Sequence, residues 1–431
     1  MFLLYSFLLT IVFLLMLPLF LWRKDKYAAG FWQRLGYLPE FKHDGRKIIW
    51  LHCVSVGETN AARPLIEQLR LHFPDHRLVI STTTKTGQAL AQSAFRHKAD
   101  AIFYFPFDWK YSVRRALRNF QPDIVLLMET EIWFNFFQEA RKSGARLAIV
   151  NGRLSKKSAK RYSYIKNFMS GVLNYLDLAL MQNDLDAKRI LSLGIEAEKV
   201  KVTGNLKFDH KIDESDSKFT SEFRDRYAVS AERPLIVAAS THSPEEEWIL
   251  AAFDGLNVYG ARLLIAPRHP DRFNAVADLM RRSQYSFSKR SETNSEADKN
   301  ADLILLDSIG ELRSIYSLAE IVFVGGSLIP HGGQSILEPA AAGKAIVTGP
   351  FTANFDAILK VFLADDAVVQ IGEVSKDFRI PDLLYENLKL LLEDTQKRRS
   401  LGQNALAVMQ ANRGATLKTV ENLKQMLIDI P

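Results

Sequence analysis

Cysteine is nearly absent: Cys53 is the single one in 431 residues. Neither a disulfide framework nor a cluster of thiolate metal ligands can be built from it. Its place inside the apolar run KIIWLHCV makes it core packing rather than a reactive thiol. Charge is absent from the first 22 residues, where FLLYSFLLTIVFLLMLPLFLW follows Met1. At about 1.5 Å per residue, that run is long enough for a hydrocarbon core of roughly 30 Å. The basic residues Arg23, Lys24 and Lys26 come after the run instead of before it, which argues against a cleaved signal peptide. The positive-inside rule then keeps the remaining chain on the cytoplasmic side of a single-pass anchor, with Trp22, Phe31 and Trp32 at the interface. The sequence also lacks a Walker lysine loop and a G-x-G-x-x-G turn, so neither a P-loop ATPase nor a dinucleotide dehydrogenase is indicated. No zinc finger, RNA-recognition motif or helix-turn-helix accompanies the net charge of +7, which leaves nucleic acid without support. An anionic membrane surface or a phosphorylated substrate suits that charge better.

What is present is a rhythm. Hydrophobic residues make up 47% of the chain, more than enough for two cores at this length. Short apolar runs (KIIWLHCV, RLVISTT, AIFYF, DIVLLMET, RLAIVNG) alternate with amphipathic stretches, the pattern of a parallel sheet covered on both faces. After a polar stretch the rhythm restarts with PLIVAAS, ARLLIAPR, ADLILLD, IVFVGGS and KAIVTG. The expected organisation is an anchor over 1–22, a domain over 23–208, a connection over 209–233, and a second domain over 234–431 closed by C-terminal helices. Both domains are α/β and Rossmann-like, and two such domains facing each other form a cleft at the carboxyl ends of their strands.

The polar residues fall at those strand ends. KIIWLHCV runs into Ser55-Val56-Gly57-Glu58 just before a helix, where Glu58 serves either as a general base or merely as a complement to the helix dipole. DIVLLMET ends in Glu129-Thr130-Glu131, and Glu131 has the same two readings. In the second half, Ser240-Thr241-His242, Pro267-Arg268-His269-Pro270 and Gly325-Gly326-Ser327 all follow strands. Such turns offer backbone N–H groups and hydroxyls to phosphate, with Arg268 adding charge-assisted bonds, although paired glycines are more often plain turn chemistry. Glu338, in GGQSILEPA and expected three residues into a helix, suits ribose hydroxyls rather than phosphate.

Taken in order, SVGE, METEIW, TGNLKFD, APRHP, SIGEL, FVGGSL and GGQSILEPA resemble the 3-deoxy-D-manno-octulosonic acid (Kdo) transferase family of lipopolysaccharide synthesis, over almost the whole chain. The resemblance implies a GT-B fold, CMP-Kdo as donor, the lipid A precursor lipid IVA as acceptor, and attachment to the inner membrane facing the cytoplasm. It implies inversion at the anomeric centre, with Glu58 as the base and with Glu129 and Lys207 stabilising the transition state. CMP contacts would come from Pro267 and Arg268, from Ile309, Gly310 and Glu311, and from Ser335, Ile336, Leu337 and Glu338. No cofactor or metal is expected, since cationic side chains and helix N-termini can accept the leaving CMP. The chain departs from the common family form at Gln334-Ser335, where His-Asn is usual, and at Phe134, where Pro is usual; at 335 a serine hydroxyl, which both donates and accepts, would take the place of the amide.

Two basic clusters interleaved with aromatics, Arg23/Lys24/Lys26/Arg34/Lys42 and Lys156/Lys157/Lys160/Arg161/Lys166, fit membrane lipid or acceptor phosphates, or are simply solvated faces. The competing functions are a sugar-nucleotide epimerase of the same fold and a non-catalytic anchored paralogue. The second has no use for Glu58, Glu129, Lys207 and Arg268 at strand ends.

Overall fold

The computed structural model describes residues 1–22, 29–209, 217–372 and 379–428. Arg23, Lys24 and Lys26 of the first basic cluster lie outside the described residues. The chain forms two units, residues 1–211 with 412–431, and residues 212–411.

The first unit is built on seven parallel strands: β1 (Ile48–Cys53), β2 (Arg77–Thr82), β3 (Ala101–Tyr104), β4 (Ile124–Met128), β5 (Arg146–Gly152), β6 (Leu178–Met181) and β7 (Val200–Val202), in the order β3-β2-β1-β4-β5-β6-β7. This is the doubly wound Rossmann order with one strand added, and it reverses direction between β1 and β4. All of β1 is buried because its side chains alternate between two helical layers. Ile49, Leu51 and Cys53 join Leu65, Ile66 and Leu69 of the helix Arg63–His72 on one face. Ile48 and Trp50 meet Phe120, Phe136 and Phe137 on the other. Cys53 is fully buried, as its apolar setting predicts, and burial pushes its thiol pKa well up.

The second unit repeats the plan with β8 (Leu235–Thr241), β9 (Arg262–Pro267), β10 (Phe287–Lys289), β11 (Leu303–Leu305), β12 (Ile321–Val324), β13 (Ala345–Thr348) and β14 (Val369–Gln370), in the order β10-β11-β9-β8-β12-β13-β14. Its reversal lies between β8 and β12. The α/β class with two Rossmann-like domains of GT-B type is therefore observed.

The boundaries differ from the sequence division. The polar connection contains a helix, Ser217–Arg226, that belongs to the second unit. Arg226 on it is buried and bonds Asp298 at 2.8 Å. The final helix, Ala415–Ile428, does not close the second unit as expected. It returns to the first, where Val420, Leu423 and Met426 complete the layer over Leu65 and Leu69. Asp209 fixes its start by accepting the Gly414 N–H at 2.7 Å.

The N-terminal helix, Phe2–Trp22, is long and apolar enough to cross a membrane, and no residue of its Phe2–Leu19 stretch is buried, so it is not a core helix. It lies along the first unit. Tyr5 donates to Asp108 at 2.8 Å, Asn135 donates to Ser6 at 2.9 Å, and Trp109 donates to Thr10 at 3.1 Å.

Candidate active site

In the first unit the carboxyl ends of β1, β4, β5 and β6 carry the polar residues, and the chain reversal falls among them. Ser55 caps the short helix Val56–Ala61, and the cap is reciprocal: the Glu58 N–H reaches Ser55 Oγ at 3.4 Å while Ser55 Oγ donates to Glu58 Oε1 at 3.3 Å. Glu58 Oε2 also accepts the Val54 N–H at 2.8 Å. The side chain is nonetheless only 8% exposed. Burial, opposed by the Val54 N–H and reinforced by Glu129 and Glu131 nearby, raises its pKa to about 8. Glu58 thus belongs to the helix cap, and its carboxyl is poised near neutrality.

Glu129 directly follows β4 with φ 54°, a left-handed conformation costly for a side chain of this kind. Its N–H bonds Val150 O at 3.0 Å, and its carboxylate pairs with Lys207 Nζ at 3.5 Å. Lys207 is held by a chain of amides that the sequence motifs did not single out. Asn151, also left-handed at φ 55°, accepts the Leu206 N–H at 3.0 Å. Asn205 accepts the Lys207 N–H at 3.0 Å and donates to Gln182 at 3.2 Å. A single asparagine or glutamine at a strand end carries no distinctive signal in a sequence; the clue available was their common position after three successive runs. Glu131 is half-buried, and burial, followed by the charge of Glu129, raises its pKa. The structure thus brings Glu58, Glu129, Glu131 and Lys207 to one edge of one sheet.

In the second unit Pro267 is the last residue of β9 and is buried, and the Arg268 N–H bonds Thr241 O at 3.0 Å, which leaves the Arg268 side chain exposed beyond the strand. His242, at the end of β8, packs its ring 4.2 Å from that of His331 and 5.3 Å from that of His269, and contacts Gln334 at 3.3 Å. Burial first, then His331, His269, Arg268 and Arg272, lowers its pKa to about 4, so at neutral pH it is an uncharged hydrogen-bonding group. Ile309 and Gly310 are exposed after β11, and Glu311 is bonded to Ser308 and to Arg290 at 3.3 Å. Ser335 Oγ accepts the Leu337 N–H at 3.4 Å, Ile336 and Leu337 are buried, and Glu338 is exposed in the first turn of the helix Leu337–Ala341. Residues 267–268, 309–311 and 335–338 therefore stand along the carboxyl edge of one sheet.

Of the two roles open to the Gly325-Gly326-Ser327 turn, phosphate binding and plain turn chemistry, the first is excluded because its backbone N–H groups are already used. Glu245, fully buried, accepts from Gly326 at 2.7 Å, Ser327 at 3.0 Å, Leu328 at 2.9 Å and His242 at 3.0 Å. Gly325 is required for packing, since a Cβ there would sit 2.7 Å from the Thr241 Cα.

Among the described residues no group of three or more His, Cys, Asp or Glu is placed to hold a metal ion. The chain does contain one Asp-x-Asp string, Asp184-Leu185-Asp186, which the sequence reading passed over. It opens a helix, and Asp186 is committed to the Leu154 N–H and Arg189, both at 3.1 Å.

Residues 29–210 match the family described as 3-deoxy-D-manno-octulosonic-acid transferase (kdotransferase). A 3-deoxy-D-manno-octulosonic acid transferase of Haemophilus influenzae is 33% identical over 409 residues, 94% of this chain and 93% of that one. Among solved structures, a glycosyltransferase of Rickettsia africae superposes with a TM-score of 0.57 at 12% identity, covering 90% of this chain and all of that one. The UDP-GlcNAc 2-epimerase of Neisseria meningitidis bound to UDP-GlcNAc gives a TM-score of 0.58 at 14% identity, covering 88% and 100%. The fold is thus shared by transferase and epimerase and does not choose between them; the full-length relative does.

Proposed function

Because the chain belongs to the 3-deoxy-D-manno-octulosonic acid transferase family, we propose that it moves Kdo from CMP-Kdo to the lipid A precursor lipid IVA with inversion at the anomeric carbon. The observation that carries this reading is the buried Glu58 carboxyl, with its pKa near 8, beside the Glu129–Lys207 pair. An acceptor hydroxyl is too weak a nucleophile until its proton is removed, and a base serves best when its pKa lies close to the working pH. In this reading Glu58 takes that proton, the hydroxyl oxygen bonds to the anomeric carbon, and the bond to the CMP phosphate oxygen breaks with its electron pair leaving on CMP. Lys207, oriented by Glu129, balances the negative charge of the donor carboxylate or leaving phosphate.

The second unit would hold the nucleotide. Arg268 is assigned to the phosphate, Glu338 to the ribose hydroxyls, and Pro267, Ile309–Glu311 and Ser335–Leu337 to the walls of the site. The Glu311 carboxylate is already engaged by Arg290, so its contribution is to shape the loop. No metal is invoked, since these cationic groups can receive the departing phosphate. The apolar N-terminal helix attaches the protein to the inner membrane, with both units on the cytoplasmic side and the exposed basic helix Lys156–Ser163 facing anionic lipid.

The test is transfer from CMP-Kdo to radiolabelled lipid IVA by detergent-solubilised protein in the presence of EDTA, with products separated by the number of sugars added. Product is expected under these conditions. Its absence from a folded protein, with divalent metal restored, would sink the proposal and leave hydrolysis or epimerisation of a sugar nucleotide as the activity to screen.

A further inference from the structure

The N-terminal helix is two-sided. Phe2, Tyr5, Ser6, Leu9, Phe13 and Met16 recur at the three- and four-residue spacing of one helix face, and that face meets the first unit. The opposite face is bare hydrocarbon: Leu3 is 81% exposed, Phe7 62% and Leu15 75%. Tyr5, Ser6 and Thr10, the polar side chains within the Phe2–Leu19 stretch, are all bonded to the unit. Asp108 seals the contact, because it also accepts the N–H groups of Asn135 and Phe136 at 3.1 and 2.7 Å. The Phe2 ring packs edge-on 5.2 Å from Phe168 and tilted 6.4 Å from Tyr175. A helix crossing the bilayer would carry that end to the far side, away from a cytoplasmic domain, and the bonded stretch from Phe2 to Phe13 is about 16 Å long.

Between helix and unit lies a cavity of about 250 Å³ walled by Leu9, Phe13 and Met16 on one side and by Phe105, Phe107 and Trp133 on the other. That is below the roughly 300 Å³ at which pockets for whole small molecules begin, so it suits a narrow chain rather than a sugar. Its polar end is made by Thr83 and Arg34, with the Arg34 guanidinium bonded to Thr83 O and stacked 4.8 Å over Tyr104. That end adjoins the site. The Thr83 N–H bonds Val54 O at 3.2 Å, and Val54 is the residue whose N–H holds Glu58. Trp133 follows two residues after Glu131, and Phe105 stacks 3.9 Å from His52 on β1.

We propose that this seam is a slot for one acyl chain of the lipid acceptor, with the helix lying along the leaflet surface instead of through it. The proposal rests on the transferase reading above for the identity of the lipid. The exposed face of the helix sits among lipid chains, so a chain can enter the seam sideways without passing through water. Seating it brings the lipid's sugar headgroup toward Thr83 and Glu58 and sets the acceptor hydroxyl at the base. A chain-free sugar lacks this alignment and binds less tightly.

The experiment uses the full chain in phosphatidylethanolamine/phosphatidylglycerol vesicles containing a phospholipid with a diazirine near the end of one acyl chain. Photolysis is expected to give adducts on the peptides bearing Phe13–Met16 and Phe105–Trp109, and filling the slot with Met16→Trp or Leu9→Trp should remove them. In turnover, the same variants should raise KM for the acylated acceptor about tenfold, leave kcat unchanged and leave transfer to a deacylated acceptor untouched. Adducts confined to the outward residues Leu3, Phe7 and Leu15, or an equal effect on both acceptors, would overturn the slot. Labelling of a Leu3→Cys variant in intact cells by an impermeant maleimide from the periplasmic side would equally overturn the surface-lying helix. The adduct map needs no turnover, so it decides the slot even where no Kdo is transferred, a result that would count against the transferase reading alone.

Discussion

Glu58 and Glu245 occupy equivalent places in the two units. Each follows the first strand of its sheet, β1 or β8, at the point where strand order reverses, and each is buried. Burial raises the pKa of both. They differ in how the negative charge is met. Both oxygens of Glu245 accept two backbone N–H groups each, from His242, Gly326, Ser327 and Leu328. Glu58 receives one backbone N–H and one hydroxyl. A carboxylate saturated with donors is a fastener; one left short of donors, beside other acids, attracts a proton. The same topological position thus yields a structural glutamate in one unit and a candidate base in the other.

The comparison can be broken at its strongest point first. Glu58→Gln should reduce transfer by about 10²–10⁴, the range of a general base, with an unchanged far-UV spectrum and melting curve at pH 7 or a slightly higher Tm. A variant that keeps most of the activity removes Glu58 from the chemistry. Glu245→Ala should do the reverse: unfolding in urea should cost on the order of 3–5 kcal/mol, since stranded buried donors cost about 1–3 kcal/mol each before relaxation. If that variant is stable and inactive, the division of labour fails. Lys207→Met should lower kcat by about 10², comparable with the loss of one transition-state donor, while its far-UV spectrum stays that of the unaltered chain.

A smaller effect concerns pH. The pKa of Glu58 rises from the ordinary 4.5 to about 8 on folding, so the native state holds its proton more tightly than the unfolded state does. Its contribution to stability is complete below pH 4.5 and is lost as pH rises toward 8. Melting curves over that window should therefore decline less in Glu58→Gln than in the unaltered chain, while kcat/KM of the unaltered chain climbs with pH up to about 8; parallel melting curves would refute the shifted pKa. The smallest effect is expected at Glu129→Gly: relief of the left-handed backbone, about 1–2 kcal/mol, is offset by roughly 0.5–1 kcal/mol of added unfolded-state entropy, so Tm should rise only slightly even as activity drops.

Much of this was legible in the sequence because parallel strands buried on both faces are near-continuous apolar runs and the residues that follow them land on one edge. That logic located Glu58, Glu129 and Arg268 from their neighbours in the chain, whereas Lys207 was singled out only through the family resemblance. The strand-end logic left Gly325-Gly326-Ser327 open between phosphate binding and plain turn chemistry because the group that claims the Gly326 and Ser327 N–H groups, Glu245, lies some eighty positions earlier and looks like any acidic residue at a helix start. The final helix was assigned to the wrong unit for a related reason: an amphipathic stripe states that something will cover it, not what. The polar face of the N-terminal helix, Tyr5, Ser6 and Thr10, was visible but had no meaning until Asp108, Asn135 and Trp109 were seen opposite.

The return of the final helix has a consequence for how the protein is made. Val420, Leu423 and Met426 cover apolar side chains of the first unit, so that unit, although most of it is translated before the second, lacks a wall until residues 415–428 leave the ribosome. The second unit, residues 212–411, is synthesised whole in the meantime. At about 5–20 residues per second, this interval lasts on the order of ten to forty seconds. Over that time the half-built layer around Leu65 and Leu69 stands open, a span in which a holding chaperone would find its client.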